Sequence, residues 1–135
     1  MEYCRLPLTL LLLVALPSFA DVTPQAREEI AHLKKQIIES SCVFTRNDVN
    51  YKGSKAVTHI IRKEEYYQEQ IVTAEDFIRL AATKSEMSGK PYTVSCTEGV
   101  VENLGDWFHR ELAAYRAQKT VEEPALPSPP SVDEN

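Results

Sequence analysis

What this chain lacks narrows its function before any motif is read. It has no Gly-rich phosphate cradle: Ser88-Gly89-Lys90 has no upstream glycine of the P-loop kind, and Pro91 removes an amide donor where a helix would have to start. It has no Cys-x-x-Cys pair, and its three histidines, His32, His59 and His109, show neither His-x-x-x-His nor His-Glu-x-x-His spacing. No metal or cofactor is therefore expected. It also lacks a basic excess. The formal net charge is -5, and residues 21–119 are close to neutral, with 14 Lys and Arg against 15 Asp and Glu. Nucleic acid is excluded as an expected partner. Finally, no apolar run approaches the roughly twenty residues needed to span a bilayer.

The longest apolar run that is present, Leu6 to Leu16, follows Arg5 and ends near Ser18-Phe19-Ala20. That is the layout of a signal peptide cleaved after Ala20. Residues 1–20 are thus expected to be removed, residues 21–119 to form a single domain, and the protein to be exported to the periplasm or beyond with no membrane anchor. Cleavage removes Cys4 and leaves Cys42 and Cys96, an even pair that in an exported chain reads as one disulfide. After Lys119 the composition turns to Pro, Ser, Glu and Asp. Residues 120–135 are expected to be a Pro-rich acidic tail that cannot build a core.

Within the domain, Ala26, Ile30, Leu33 and Ile37 recur at helical spacing behind Thr23 and Pro24, with Ile38 widening the stripe toward the core and Glu28 and Glu29 on a solvated face. Cys42 to Asn47 has strand composition, with Cys42 and Phe44 on one side. Asn47 to Asn50 and Lys52-Gly53 read as turns, and Ser54 as the cap of a second helix. Thr73-Ala74-Glu75-Asp76 predicts a capping box opening a third helix that ends near Ser85. Tyr92 to Cys96 alternates, and Glu98-Gly99 turns it into Val100-Val101 as a hairpin. A last helix follows from about Leu104 to Gln118, with Trp107, Phe108, Leu112 and Tyr115 on one side. The sum is an α+β fold, four helices packed on a small antiparallel sheet of about three short strands.

Ser41-Cys42-Val43-Phe44-Thr45-Arg46-Asn47, Thr73-Ala74-Glu75-Asp76-Phe77-Ile78, Met87-Ser88-Gly89-Lys90-Pro91-Tyr92 and Asp106-Trp107-Phe108 with Leu112 and Tyr115-Arg116 stand in this order. Together these segments resemble the YfeK-like family of small exported bacterial proteins with a domain of unknown function. The resemblance implies an envelope location and a small α+β domain, and it carries no activity.

The sequence points away from catalysis and toward a binding or interaction module of the envelope, with an envelope protein or cell-wall component as partner. Ser88, Gly89, Lys90 and Tyr92 are the candidate contact residues: glycine permits close approach, Pro91 stiffens the turn, and a cation beside an aromatic suits an interface. The same Ser-Gly-x-x-Tyr pattern resembles the loop of periplasmic lysozyme inhibitors, which makes inhibition of a cell-wall hydrolase the alternative. A further alternative is an envelope hydrolase using His59 or His109 with a neighbouring carboxylate.

Overall fold

A computed structural model describes residues 21–122. The expected signal peptide, and the Pro-rich tail from residue 123 on, lie outside the described residues. The elements run α1 (Pro24–Glu39), β1 (Val43–Arg46), β2 (Val49–Tyr51), α2 (Gly53–Tyr66), α3 (Ala74–Ala81), β3 (Thr93–Thr97), β4 (Val100–Asn103) and α4 (Leu104–Glu122). The fold is α+β, as the sequence predicts, with four helices and one antiparallel sheet. That sheet has four strands in the order β2-β1-β3-β4, not three.

The additional strand comes from a turn tighter than the sequence reading allows. Asn47 and Asp48 both take positive φ, 51° and 66°, the pattern of a two-residue hairpin turn whose twist matches that of the flanking strands. Arg46 then faces Val49 and Phe44 faces Tyr51. Val49-Asn50-Tyr51 continues the sheet instead of extending the turn. On the other side of β1, Phe44 pairs with Val94, and β3 returns through Glu98-Gly99, where Gly99 has φ 77°, into β4.

The helices pack on one face of this sheet. Phe44 and Val94 point into them and meet Leu33 and Ile37 of α1, Phe77 and Ile78 of α3, and Phe108 and Leu112 of α4, all buried. Trp107 stands edge-on to Phe44, with ring centroids 6.1 Å apart. Each such fully buried side chain contributes roughly 1.5–3 kcal/mol, so the alternation of β1 and β3 and the stripes of α1, α3 and α4 converge on one core. The opposite face, with Val43, Thr45, Asn50, Thr93 and Ser95, stays half-buried or exposed.

Several local expectations are corrected. Ser54 does not cap α2; Lys52 is the cap position and no side chain bonds there. Gly53 matters for space instead: a Cβ there would lie 1.9 Å from the carbonyl oxygen of Ile37, so only glycine lets α2 start against the end of α1. Ile38 is exposed. Helix α3 ends at Ala81, short of Ser85, and α4 runs on to Glu122, past its expected end near Gln118.

Cys42 and Cys96 are joined by a disulfide. Val43 is opposite Ser95, so the next pair along the ladder brings Cys42 against Cys96. Cys42 is buried, and Cys96 lies toward the exposed end of β3.

Candidate functional site: a braced loop and an adjoining cavity

The segment between α3 and β3 folds back on itself. Ser85 N–H donates to the Lys90 carbonyl (2.9 Å), Gly89 N–H to the Ser85 carbonyl (2.8 Å), and Tyr92 N–H to the Thr83 carbonyl (2.9 Å). Gly89 makes this closure at φ 70°, a conformation that L side chains seldom adopt. The result is a short closed loop at residues 84–91.

Two neighbours brace it from outside. The β1–β2 turn supplies Asn47, whose side chain accepts from Ser88 Oγ and donates to Ser85 Oγ at 3.3 Å, and Asp48, which pairs with Lys90 Nζ. Helix α2 supplies Lys63, whose ammonium donates to the Lys84 carbonyl at 2.7 Å and to Glu86 at 3.2 Å. The Lys63 contact, foremost, holds the Glu86 carboxyl below its ordinary range. Every polar side chain of the loop apart from Lys84's ammonium is thus engaged, while Met87 at its tip is 93% exposed. An exposed thioether on a braced backbone is an apolar contact presented at little entropic cost.

The structure brings three of the four candidate contact residues together here and separates the fourth. Ser88, Gly89 and Lys90 lie on the exposed loop. Tyr92 does not: its residue is 5% exposed, with Lys63 Nζ 5.3 Å above its ring. The correction follows from Leu104 N–H donating to the Tyr92 carbonyl at 2.9 Å, which folds this residue under the start of α4.

Beside the loop, between α2 and the sheet, lies a cavity of about 20 Å³ walled by Phe44, Tyr51, Ile60, Tyr92 and Leu104. Arg46 and His59 also line it. The His59 ring stands edge-on to Tyr51 at 5.0 Å. Burial first, then the positive charges of Arg46, Arg62 and Lys55, push the His59 imidazole below its ordinary pKa, so it is neutral at pH 7. A general base needs a carboxylate or similar group to orient it, and the charges acting on His59 are all positive. His109 is exposed, and His32 is stacked on Tyr115 at 4.1 Å. Among the described residues no hydrogen bond joins His59 or His109 to a carboxylate, and no cluster of three or more His, Cys, Asp or Glu could hold a metal.

At the far side of the helices stands a polar cluster that the sequence reading missed. Glu29, read as part of a solvated face, is 3% exposed. Arg116 reaches it through two hydrogen bonds of 2.8 Å and extends a third, 2.6 Å, to Glu75. Arg116 holds both carboxyls below the ordinary range and is itself pushed up by them. Periodicity cannot find a partner 87 residues away; the hint available was the acidic residue's place beside the buried Ile30 on α1.

Comparison with known proteins identifies the lineage of this arrangement. A family of unknown function, DUF5329, matches residues 24–116, from the first residue of α1 to Arg116 on α4. The chain belongs to this family. The match takes in both cysteines, the braced loop, the cavity and the Glu29–Arg116–Glu75 cluster. A protein of Salmonella typhimurium described as "Uncharacterized protein YfeK" is 34% identical over 82 residues, which is 60% of this chain and 68% of the relative. The resemblance to the YfeK-like family is therefore shown. No solved structure matches the chain.

Proposed function

We propose that this domain is a non-catalytic, exported binding module of the bacterial envelope, and that the loop at residues 84–91 is its contact surface. The observation that carries the reading is the bracing of that loop by Asn47, Asp48 and Lys63 around a tip left 93% exposed at Met87. Holding a segment rigid while leaving an apolar tip in water lowers the entropy lost when a partner binds. The disulfide and the bacterial relative are compatible with an oxidising envelope compartment. Among the described residues no helix is long and apolar enough to cross a membrane.

The partner is an envelope protein or a cell-wall component that offers an apolar pocket for Met87 and a negative or hydrogen-bonding rim for Lys90 and Ser88. Photo-crosslinking in the envelope fraction tests this. A photoreactive residue at position 87 should trap a discrete product that Lys90→Glu weakens, while the same residue at Lys35 on α1 should trap none. Equal trapping at both positions, or trapping indifferent to Lys90, rules the loop out as the contact surface.

A further inference from the structure

The groups that a mild two-electron oxidant attacks are few in this chain, and the fold hides all but one of those it describes. Among the described residues the sulfurs are those of Cys42, Cys96 and Met87. Both cysteines are spent in the disulfide, which leaves no thiol there to react first. Trp107 is buried. Met87 alone presents a reduced sulfur to solvent, at the tip of the braced loop.

The construction of that loop decides what oxidation does. Its brace runs from Asn47 to Ser85 and Ser88, from Asp48 to Lys90, and from Lys63 to Glu86 and the Lys84 carbonyl. Its closure runs from the Ser85 and Gly89 amides to the Lys90 and Ser85 carbonyls. None of these bonds passes through Met87. An oxygen added to the sulfur therefore meets water, not protein, and the fold and the brace both stand. What changes is the chemistry offered at the tip, because an apolar thioether becomes a polar, chiral sulfoxide. In a core that change breaks packing; here it acts only on whatever docks against the loop.

We propose that Met87 is a modification site, reversibly oxidised to the sulfoxide by a peroxide or a hypohalous acid, and that the oxidised loop releases its partner. The release rests on the reading of residues 84–91 as the contact surface; the modification does not. With hydrogen peroxide, the S–O bond forms as the O–O bond breaks, and the second oxygen leaves as water with both peroxide protons. The thioether gives up two electrons and the peroxide takes them. Two thiols of a sulfoxide reductase return those electrons, giving back the thioether with a disulfide and water. A sulfoxide oxygen forced into an apolar pocket without a donor weakens the complex by about tenfold or more.

The modification is tested on the full chain with hydrogen peroxide, following Met87 by peptide mass spectrometry against N-acetylmethionine amide in the same tube. Met87 should gain one oxygen at about the rate of the free amide, as its exposure requires, with no change in melting temperature. The two methionine sulfoxide reductases, one for each epimer, should together remove it. An unoxidised sample carried through the thiol step controls for reduction of the Cys42–Cys96 bridge. Oxidation more than about tenfold slower than the free amide, a fall in melting temperature, or a sulfoxide that neither enzyme reverses overturns the site.

Release is tested with a photoreactive residue at position 84, which leaves Met87 in place, on chain oxidised and freed of peroxide before it meets the envelope fraction. The crosslinked product should fall by about tenfold, return after reductase treatment, and ignore peroxide in Met87→Leu, which keeps an apolar tip without the sulfur. A product that persists on the oxidised chain overturns the release. No product from the reduced chain overturns the contact-surface reading and the release with it, while the mass measurement still decides the modification.

Discussion

Two arginines in this domain sit at opposite extremes of satisfaction. Arg116 spends three guanidinium hydrogen bonds on Glu29 and Glu75, tying α4 to α1 and α3 at one side of the helical layer. Arg46, on the sheet side, keeps its Nε buried with no partner next to an equally unpartnered His59. Both are half-buried cations in a small fold. The comparison shows where the molecule's polar groups hold the fold together and where they are left over. The saturated cluster ties three helices together; the unmatched nitrogens contribute nothing of that kind and cost stability where they are buried.

The largest expected effect comes from removing the saturated arginine. Arg116→Ala leaves the Glu29 carboxylate buried and uncompensated, a change that in fully buried pairs costs about 3–5 kcal/mol. Because the Arg116 side chain is 42% exposed and water can enter its place, the expected loss is about 2–3 kcal/mol. Urea unfolding measures it, and Arg116→Lys should recover only part, since an ammonium cannot hold both oxygens of Glu29 in a fork.

Acid should act on the same cluster. Glu29 and Glu75 are held below their ordinary pKa of 4.5, each chiefly by Arg116. The unfolded chain therefore takes up protons at these carboxyls before the folded one does. The stabilisation is fully present above the ordinary carboxyl range and is lost as the pH falls through the lowered folded values. Unfolding free energy measured from pH 6 downward should fall less steeply in Arg116→Ala than in the parent chain; equal slopes would show that the pairs contribute nothing.

Opposite in sign is the prediction for the unsaturated site. His59→Leu removes a buried polar atom without a partner and keeps the bulk, so stability should rise by about 1 kcal/mol. A loss of that size would mean that His59 has a hydrogen-bond partner in solution. The smallest effect belongs to Lys90→Ala. Its pair with Asp48 is solvent-exposed on both sides, so the midpoint should move by no more than about 0.5 kcal/mol, even where crosslinking at position 87 changes.

Much of the fold was legible because local chemistry decided it. Thr73 accepts from Asp76 N–H and Asp76 accepts from Thr73 N–H, both at 3.1 Å, as the capping box at the start of α3 requires. The stripe of Ala26, Ile30, Leu33 and Ile37 is buried as its spacing predicts. The failures share a cause: each depends on a partner distant in sequence. Strand β2 is three residues with an asparagine at its centre and exists because β1 is there to pair with it. Glu29 looks like any surface glutamate until Arg116 is placed above it. Tyr92 fits a presented loop until Leu104 N–H and Lys63 fold it inward. The unmatched nitrogens of Arg46 and His59 belong to the same class, since only the pairing of α2 with β1 encloses them together.

The bridge between Cys42 and Cys96 closes 54 residues of separation into a covalent ring that contains α2, α3 and the braced loop, with α1 and α4 as its two linear arms. Met87, the one methionine besides Met1, lies on that ring. Cyanogen bromide cutting at Met87 should therefore open the circle without parting the chain. Helices α1 and α4 stay on one covalent body and migrate together on a gel until a reductant releases them as two pieces.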